Sequence, residues 1–119
     1  MKLEIGQFAR LKSGYSDELG IGKIDFVANC GVATIDFKNK KLGVFTENII
    51  KASYNIIDLI EVGDYVNGFE VLRIDKECDL YPKTLKCQYP NNTDYFDIFN
   101  EDIKSIVTKE QFEQMAYRV

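Results

Sequence analysis

Two glutamates that recur in a repeated motif are the residues of this chain best suited to catalysis. Glu47 lies in Phe45-Thr46-Glu47-Asn48-Ile49, and Glu101 lies in Phe99-Asn100-Glu101-Asp102-Ile103. A pair of carboxylates can divide general acid and general base catalysis between them. However, the chain has no histidine, and it contains neither a nucleophile elbow nor a phosphate-binding glycine loop. We therefore interpret the two glutamates as polar residues at strand ends and expect no enzyme activity.

The three cysteines do not form a recognisable metal or disulfide motif. They are Cys30, Cys78 and Cys87, an odd number without a Cys-x-x-Cys pair. Since no histidine can complete a ligand set, a zinc site is not expected. We expect reduced thiols, as in a cytosolic protein, and no cofactor.

Tyrosines and acidic residues in loops are the first candidates for a binding surface. Aromatic side chains outside a core serve as interface anchors, and acidic loops present negative charge to a basic partner. The first loop offers one tyrosine and two acids, and the second half offers three tyrosines. The predicted partner-binding residues are Tyr15, Asp17, Glu18, Tyr81, Tyr89 and Tyr95.

A lysine-rich hairpin is the alternative binding surface. Lys38, Lys40 and Lys41 concentrate positive charge where it could meet phosphates. The whole chain, with 15 basic and 19 acidic residues, has a net charge of −4. That charge weighs against a general nucleic-acid binder, and a solvated hairpin tip would explain the same lysines.

The composition indicates a globular chain built mainly of strands. Of the 119 residues, 45% are hydrophobic and 29% are charged, which is enough apolar surface for one domain or two small ones. Val32-Ala33-Thr34-Ile35-Asp36-Phe37 has the clearest strand pattern, with Ala33 and Ile35 on one face. Gly22 within the preceding predicted strand indicates a bend or a close backbone approach.

The chain is predicted to contain two diverged copies of one small unit. Ile5-Gly6-Gln7-Phe8 opens the first copy and Val62-Gly63-Asp64-Tyr65 opens the second, and each copy ends in the Phe-x-Glu-Asx-Ile motif. The order of strand, glycine-containing loop, bent strand and hairpin resembles the KOW, Tudor and SH3-like class. We therefore predict a mainly β chain of two tandem SH3-like small antiparallel β-barrels, over residues 1–54 and 55–119.

One short helix is expected near the C-terminal end of the sequence, over about residues 108–116. Thr108 is a good N-cap, and Gln111 follows three residues later, which is the spacing of a capping box. Phe112, Met115 and Ala116 have helical spacing and are predicted to face the core.

Three stretches resemble small, largely uncharacterised proteins encoded by phages and prophages of low-GC Gram-positive bacteria. They are residues 55–68 (NIIDLIEVGDYVNG), 104–113 (KSIVTKEQFE) and 117–119 (YRV). The resemblance implies a phage accessory protein that acts in the host bacterial cytoplasm, and it carries over no catalytic residues.

Two functions fit this context. The first is a non-enzymatic inhibitor of a bacterial defence effector, similar to an anti-CRISPR, whose partner is a host protein such as a nucleic-acid-binding effector. The alternative is a nucleic-acid-associated module of phage replication or regulation that uses the lysine hairpin. No apolar run approaches the roughly 18 residues of a membrane span, so no membrane partner is expected. Unpaired strand edges would also allow a homodimer.

Overall fold

The first half of the chain forms a five-stranded antiparallel sheet in the computed structural model, which describes residues 2–38, 40–90 and 93–115. The strands are β1 (Phe8–Leu11), β2 (Ile21–Val27), β3 (Val32–Asp36), β4 (Lys41–Phe45) and β5 (Ile49–Ser53). Their order in the sheet is β4-β3-β2-β1-β5. Short 3₁₀ helices lie between β1 and β2 (Asp17–Leu19) and between β4 and β5 (Thr46–Asn48).

The second half forms another five-stranded antiparallel sheet. Its strands are β6 (Tyr65–Val66), β7 (Phe69–Asp75), β8 (Thr84–Gln88), β9 (Tyr95–Ile98) and β10 (Ile106–Val107). Their order, β10-β6-β7-β8-β9, is equivalent to that of the first sheet. A 3₁₀ helix (Ile56–Leu59) joins the two halves, and another (Asn100–Asp102) precedes the last strand.

The prediction of a mainly β chain with one short helix near its end is confirmed. The prediction of closed barrels is wrong, because the described pairings leave β4 and β5 as the two edges of the first sheet and β9 and β10 as those of the second. Barrel closure requires enough strand tilt and bending to bring the two edge strands together. Apolar alternation in a sequence indicates which face of a strand is buried, but not how far the sheet curves.

The opening turn of each copy is held by the same side-chain hydrogen bond. The backbone N–H of Glu4 donates to Oε1 of Gln7 at 2.9 Å, and the backbone N–H of Glu61 donates to Oδ2 of Asp64 at 2.8 Å. The glycine inside each turn has a positive φ, 96° and 98°, which a residue with a Cβ rarely adopts. The repeated sequence pattern therefore corresponds to a repeated local structure.

Each sheet buries its own apolar cluster. The alternation predicted for β3 is confirmed, since Ala33 and Ile35 are fully buried. Gly22 lies where a Cβ would come within 2.5 Å of the Ile35 side chain, so the predicted close approach is also confirmed. The first core contains Ala9, Leu11, Ile24, Ala33, Ile35, Val44 and Ile49, and the second contains Ile57, Ile60, Val66, Val71, Leu85, Cys87 and Ile98.

The helix α1 (Lys109–Met115) begins at the predicted capping box. The N–H of Gln111 donates to Oγ1 of Thr108 at 3.1 Å, and the N–H of Thr108 donates to Oε1 of Gln111 at 3.0 Å. Phe112 was expected in the core, but it is 48% exposed and stacks on the Tyr65 ring at 4.7 Å between centroids. The predicted positions of Ala116 and of the Met115 side chain fall outside what the structure describes.

Candidate functional site

The outer face of the first sheet carries exposed aromatic side chains. In the strand register, Thr34 lies between Phe26 and Gly43, and Val32 lies beside Phe45. Phe26 is 57% exposed and Phe45 is 58% exposed, although both belong to regular strands. We call these five residues the aromatic face.

A β-bulge in β2 directs Phe26 outward. Ile24 pairs with Ile35 and Phe26 pairs with Thr34, so Asp25 is an extra residue in the ladder. In a regular strand, residues two apart share a face, and Phe26 would then be buried with Ile24. Because the bulge shifts the alternation by one residue, Phe26 points to solvent instead.

Three positions of the aromatic face carry charged residues in the second sheet, whereas Phe45 corresponds to Phe99 of the repeated motif. A bulge at the same place in β7 makes Arg73 the counterpart of Phe26, and it lies beside Lys86 and Asp97 in the register. Lys86 forms ion pairs with Asp97 and with Asp75, and Arg73 Nε lies 2.9 Å from Asp75 Oδ1. We call Arg73, Lys86 and Asp97 the charged face. The two copies of the unit therefore present different chemistry from the same position.

The lysine hairpin extends from the edge of the aromatic face. Lys38 and Lys40 are exposed, and neither forms an ion pair with any residue in the described part of the chain. Lys41 lies 3.0 Å from a carboxylate oxygen of Asp25, and the hydrogen bond and charge of Asp25 raise the pKa of Lys41. Two of the three predicted lysines are thus available for a ligand.

Residues of the first loop are only partly available for binding. Tyr15 is half-buried and packs against the first core. Asp17 accepts a hydrogen bond from the backbone N–H of Gly14 at 2.7 Å, so its carboxylate holds the loop. Glu18 is exposed, and its backbone carbonyl accepts a hydrogen bond from the Gln111 side chain.

The three predicted tyrosines of the second half do not share one surface. Tyr89 stacks on Phe96, which packs on the second core. Tyr95 precedes Phe96 in β9 and lies on the opposite face, where it is 60% exposed. Tyr81 is exposed in the loop between β7 and β8. The structure therefore does not gather the predicted tyrosines into one groove.

A buried arginine joins the two sheets. Alternate residues of β1 enter the first core, and Arg10 points the other way, where it is 1% exposed. Arg10 Nη1 donates to Asp64 Oδ2 at 2.5 Å and Nη2 donates to Asp64 Oδ1 at 3.0 Å, while Nη2 also reaches Glu110 at 3.2 Å. Burial alone would lower the pKa of Arg10, but Asp64, together with Glu61 and Glu110, raises it. Arg10 is therefore charged inside the protein.

Glu61 links this arginine to two lysines. Its carboxylate lies 3.5 Å from Arg10 Nε, 2.8 Å from Lys109 Nζ and 3.4 Å from Lys51 Nζ. Burial opposes ionisation of Glu61, but these cations outweigh that effect and lower its pKa. The adjoining cavity has a volume of about 10 Å³, enough for about one water molecule. We interpret this set, the Arg10 cluster, as the link between the sheets and not as a ligand site.

The residues considered for catalysis and metal binding lie apart from these surfaces. Glu47 and Glu101 are both exposed, each on the 3₁₀ helix before the last strand of its own sheet. Cys30 and Cys78 are exposed, whereas Cys87 is buried in the second core, where burial raises the pKa of its thiol. Among the described residues, no group of three or more acidic or cysteine side chains is arranged to hold a metal ion.

The sequence analysis did not identify the aromatic face. It assigned no face to Phe26, and it treated Phe45 only as part of the repeated motif at the end of the unit. A position-by-position comparison of the two copies could have found the difference, because Phe26 corresponds to a charged residue in the second copy.

Comparison with models of known protein families, with curated proteins and with solved structures gives no significant match. In the part of the chain that the structure describes, no helix is both long and apolar enough to cross a membrane.

Proposed function

We propose that this chain is a non-enzymatic, phage-encoded binding protein that inhibits a bacterial defence effector, in the manner of an anti-CRISPR, in the host cytoplasm. The observation that carries the binding role is the difference between the aromatic face and the charged face. The phage context comes from the sequence resemblance, and we further propose that the two sheets are diverged, open members of the SH3-like class.

The aromatic face has the features of a protein-binding surface. Gly43 lies across Thr34 from Phe26 and two residues before Phe45, and the absence of a side chain there lets a partner approach the sheet closely. Interface cores are enriched in aromatic residues and poor in charged ones. In the second sheet, charged residues stand at the positions of Phe26, Thr34 and Gly43, so a solvent-facing sheet surface of this kind accepts polar side chains there. Phe45 corresponds to another aromatic residue, Phe99.

Two variants and a control test the proposal. The double change Phe26→Ser and Phe45→Ser removes the exposed rings without changing a buried position. Tyr95→Ser removes an equally exposed ring from the outer face of the second sheet and serves as the control. The assay is plaque formation by a targeted phage on bacteria that carry one of a panel of defence systems and express each variant.

We expect the wild-type chain and the Tyr95 variant to restore plaque formation by at least about tenfold on one host of the panel. The double variant should lose that effect, and the purified effector should bind the wild type but not the double variant. A wild-type chain that restores no plaques on any host would contradict the inhibitor proposal. Full activity of the folded double variant would contradict the role of the aromatic face.

Binding of single-stranded nucleic acid is the second candidate function. Exposed aromatic rings beside unpaired lysines can stack bases and neutralise phosphates, and Lys38 and Lys40 adjoin the aromatic face. This candidate predicts binding of fluorescent single-stranded DNA or RNA oligonucleotides that weakens steeply with salt. Changing Lys38 and Lys40 to Ala should weaken oligonucleotide binding and reduce its salt dependence. If the wild-type chain binds no oligonucleotide at low salt, this second candidate function is excluded.

A further inference from the structure

The outer edge of β4 has backbone groups without partners. In the described part of the chain, β4 pairs only with β3. The N–H of Phe37 donates to the carbonyl of Lys40, and the N–H of Thr46 donates to the carbonyl of Gly31. Hydrogen-bonded and non-hydrogen-bonded pairs alternate along an antiparallel ladder, so every second residue between Lys40 and Thr46 directs its N–H and C=O groups away from β3, beyond the edge of the sheet. Those residues are Lys41, Gly43 and Phe45.

The other edges of the two sheets are less suited to pairing. Strand β5 packs against the 3₁₀ helix Ile56–Leu59, and β10 is only two residues long. Strand β9 has four residues, and only Tyr95 and Asp97 direct their backbone groups away from β8. Strand β4 has five residues and exposed side chains at alternate positions, so it is the edge best prepared to accept another strand.

The three outward-facing residues of β4 are arranged symmetrically for pairing with themselves. If two copies meet in antiparallel register about Gly43, that glycine faces its own counterpart, and Lys41 faces Phe45 of the partner subunit. The carbonyl of Phe45 already accepts the first hydrogen bond of the 3₁₀ helix Thr46–Asn48, so three such residue pairs exchange about four backbone hydrogen bonds. The Lys41 ammonium is paired with Asp25 of its own chain, so its methylene groups would pack against the facing ring. A glycine at the centre leaves room for the rings on either side.

We propose that a second copy of this chain binds at β4, so that the two first sheets join into one continuous ten-stranded sheet related by a two-fold axis. This inference does not depend on the proposed function. The pairing would leave both aromatic faces exposed on the same side of the joined sheet. A partner with two binding sites would then meet two equivalent surfaces and bind with avidity.

The expected dimer is weak, because one five-residue strand pair buries less surface than a standard stable interface. We expect a dissociation constant on the order of 10–100 μM. Analytical ultracentrifugation of the wild-type chain over a wide concentration range measures this directly. The mass should rise from the monomer value of 13.7 kDa towards twice that value as the concentration increases.

Gly43→Pro is the variant that tests the interface. Proline removes the outward-pointing N–H and is tolerated on edge strands, so dimerisation should weaken at least about tenfold. Gly43→Ala is the matched control, since its Cβ would lie 3.6 Å from Val32 Cγ1, an ordinary contact, and its N–H remains. Circular dichroism of both variants checks that they fold.

Amide hydrogen exchange of the wild-type chain gives a second test that needs no variant. The amides of Lys41, Gly43 and Phe45 should exchange more slowly as the concentration rises, whereas the outward-facing amides of Tyr95 and Asp97 on β9 should not change. A chain that stays monomeric at every concentration would overturn the proposal. So would a dimer that Gly43→Pro leaves intact, or one that protects the β9 amides instead.

Discussion

Replacing Asp64 with alanine should cost far more stability than replacing its counterpart in the first copy. Asp64 is fully buried and accepts hydrogen bonds from both Arg10 Nη atoms and from the backbone N–H groups of Glu61 and Lys109. Removing one partner of a buried ion pair typically costs about 3–5 kcal/mol. Gln7, in the equivalent turn, accepts one backbone hydrogen bond, whose loss costs about 1 kcal/mol.

Urea unfolding measures this difference. With a slope of about 2 kcal/mol per M, a loss of about 4 kcal/mol lowers the midpoint by about 2 M. Gln7→Ala should lower it by about 0.5 M. Replacing Arg10 and Asp64 by apolar residues of similar size, together with Glu110→Gln, should recover part of the loss, because neither the guanidinium nor these two carboxylates then remain as unpaired buried charges. Equal midpoints for Asp64→Ala and Gln7→Ala would refute the reasoning.

The remaining predictions concern pH, packing and thiol reactivity. Because folding lowers the pKa of Glu61, the stabilisation that this carboxylate provides is present above the ordinary pKa of 4.5 and is lost as the pH falls below it. In urea unfolding at several pH values, Glu61→Gln should therefore reduce the fall in unfolding free energy on the acid side. Gly22→Ala should destabilise the fold by about 1–3 kcal/mol in thermal or urea unfolding, whereas Gly43→Ala, which meets no close neighbour, should not. A thiol reagent should modify two cysteines of the native protein and should reach Cys87 only upon unfolding, as counted by mass spectrometry.

Local patterns allowed several elements to be predicted from the sequence. The capping box at Thr108 and the buried face of β3 depend on residues within a few positions of one another. The repeated turn around Gly6 and Gly63 was also recognisable, because a positive φ restricts the residue types that are accepted there. In these cases the local sequence contains most of the physical information.

Features that depend on distant residues were not predictable in the same way. The contact between Arg10 and Asp64 joins residues 54 positions apart, and nothing in the local sequence of either one indicates the other. The face of Phe26 does not follow from the alternation of the sequence, because a single extra residue in β2 reverses that alternation after it. Closure of the sheets was wrongly expected because curvature depends on twist and bends summed over all strands.

The two opening turns are closed by different residues, Gln7 and Asp64, and this difference affects how the chain unfolds. In the first copy a neutral amide closes the turn, and in the second a carboxylate closes it while also holding Arg10 of the first sheet. Separating the sheets would expose Arg10 to water and would leave the Asp64 carboxylate, which closes the turn of the second sheet, without its cationic partner. Neither core can therefore open without weakening the other, and we expect the two small sheets to melt in one cooperative transition, although each encloses its own apolar interior.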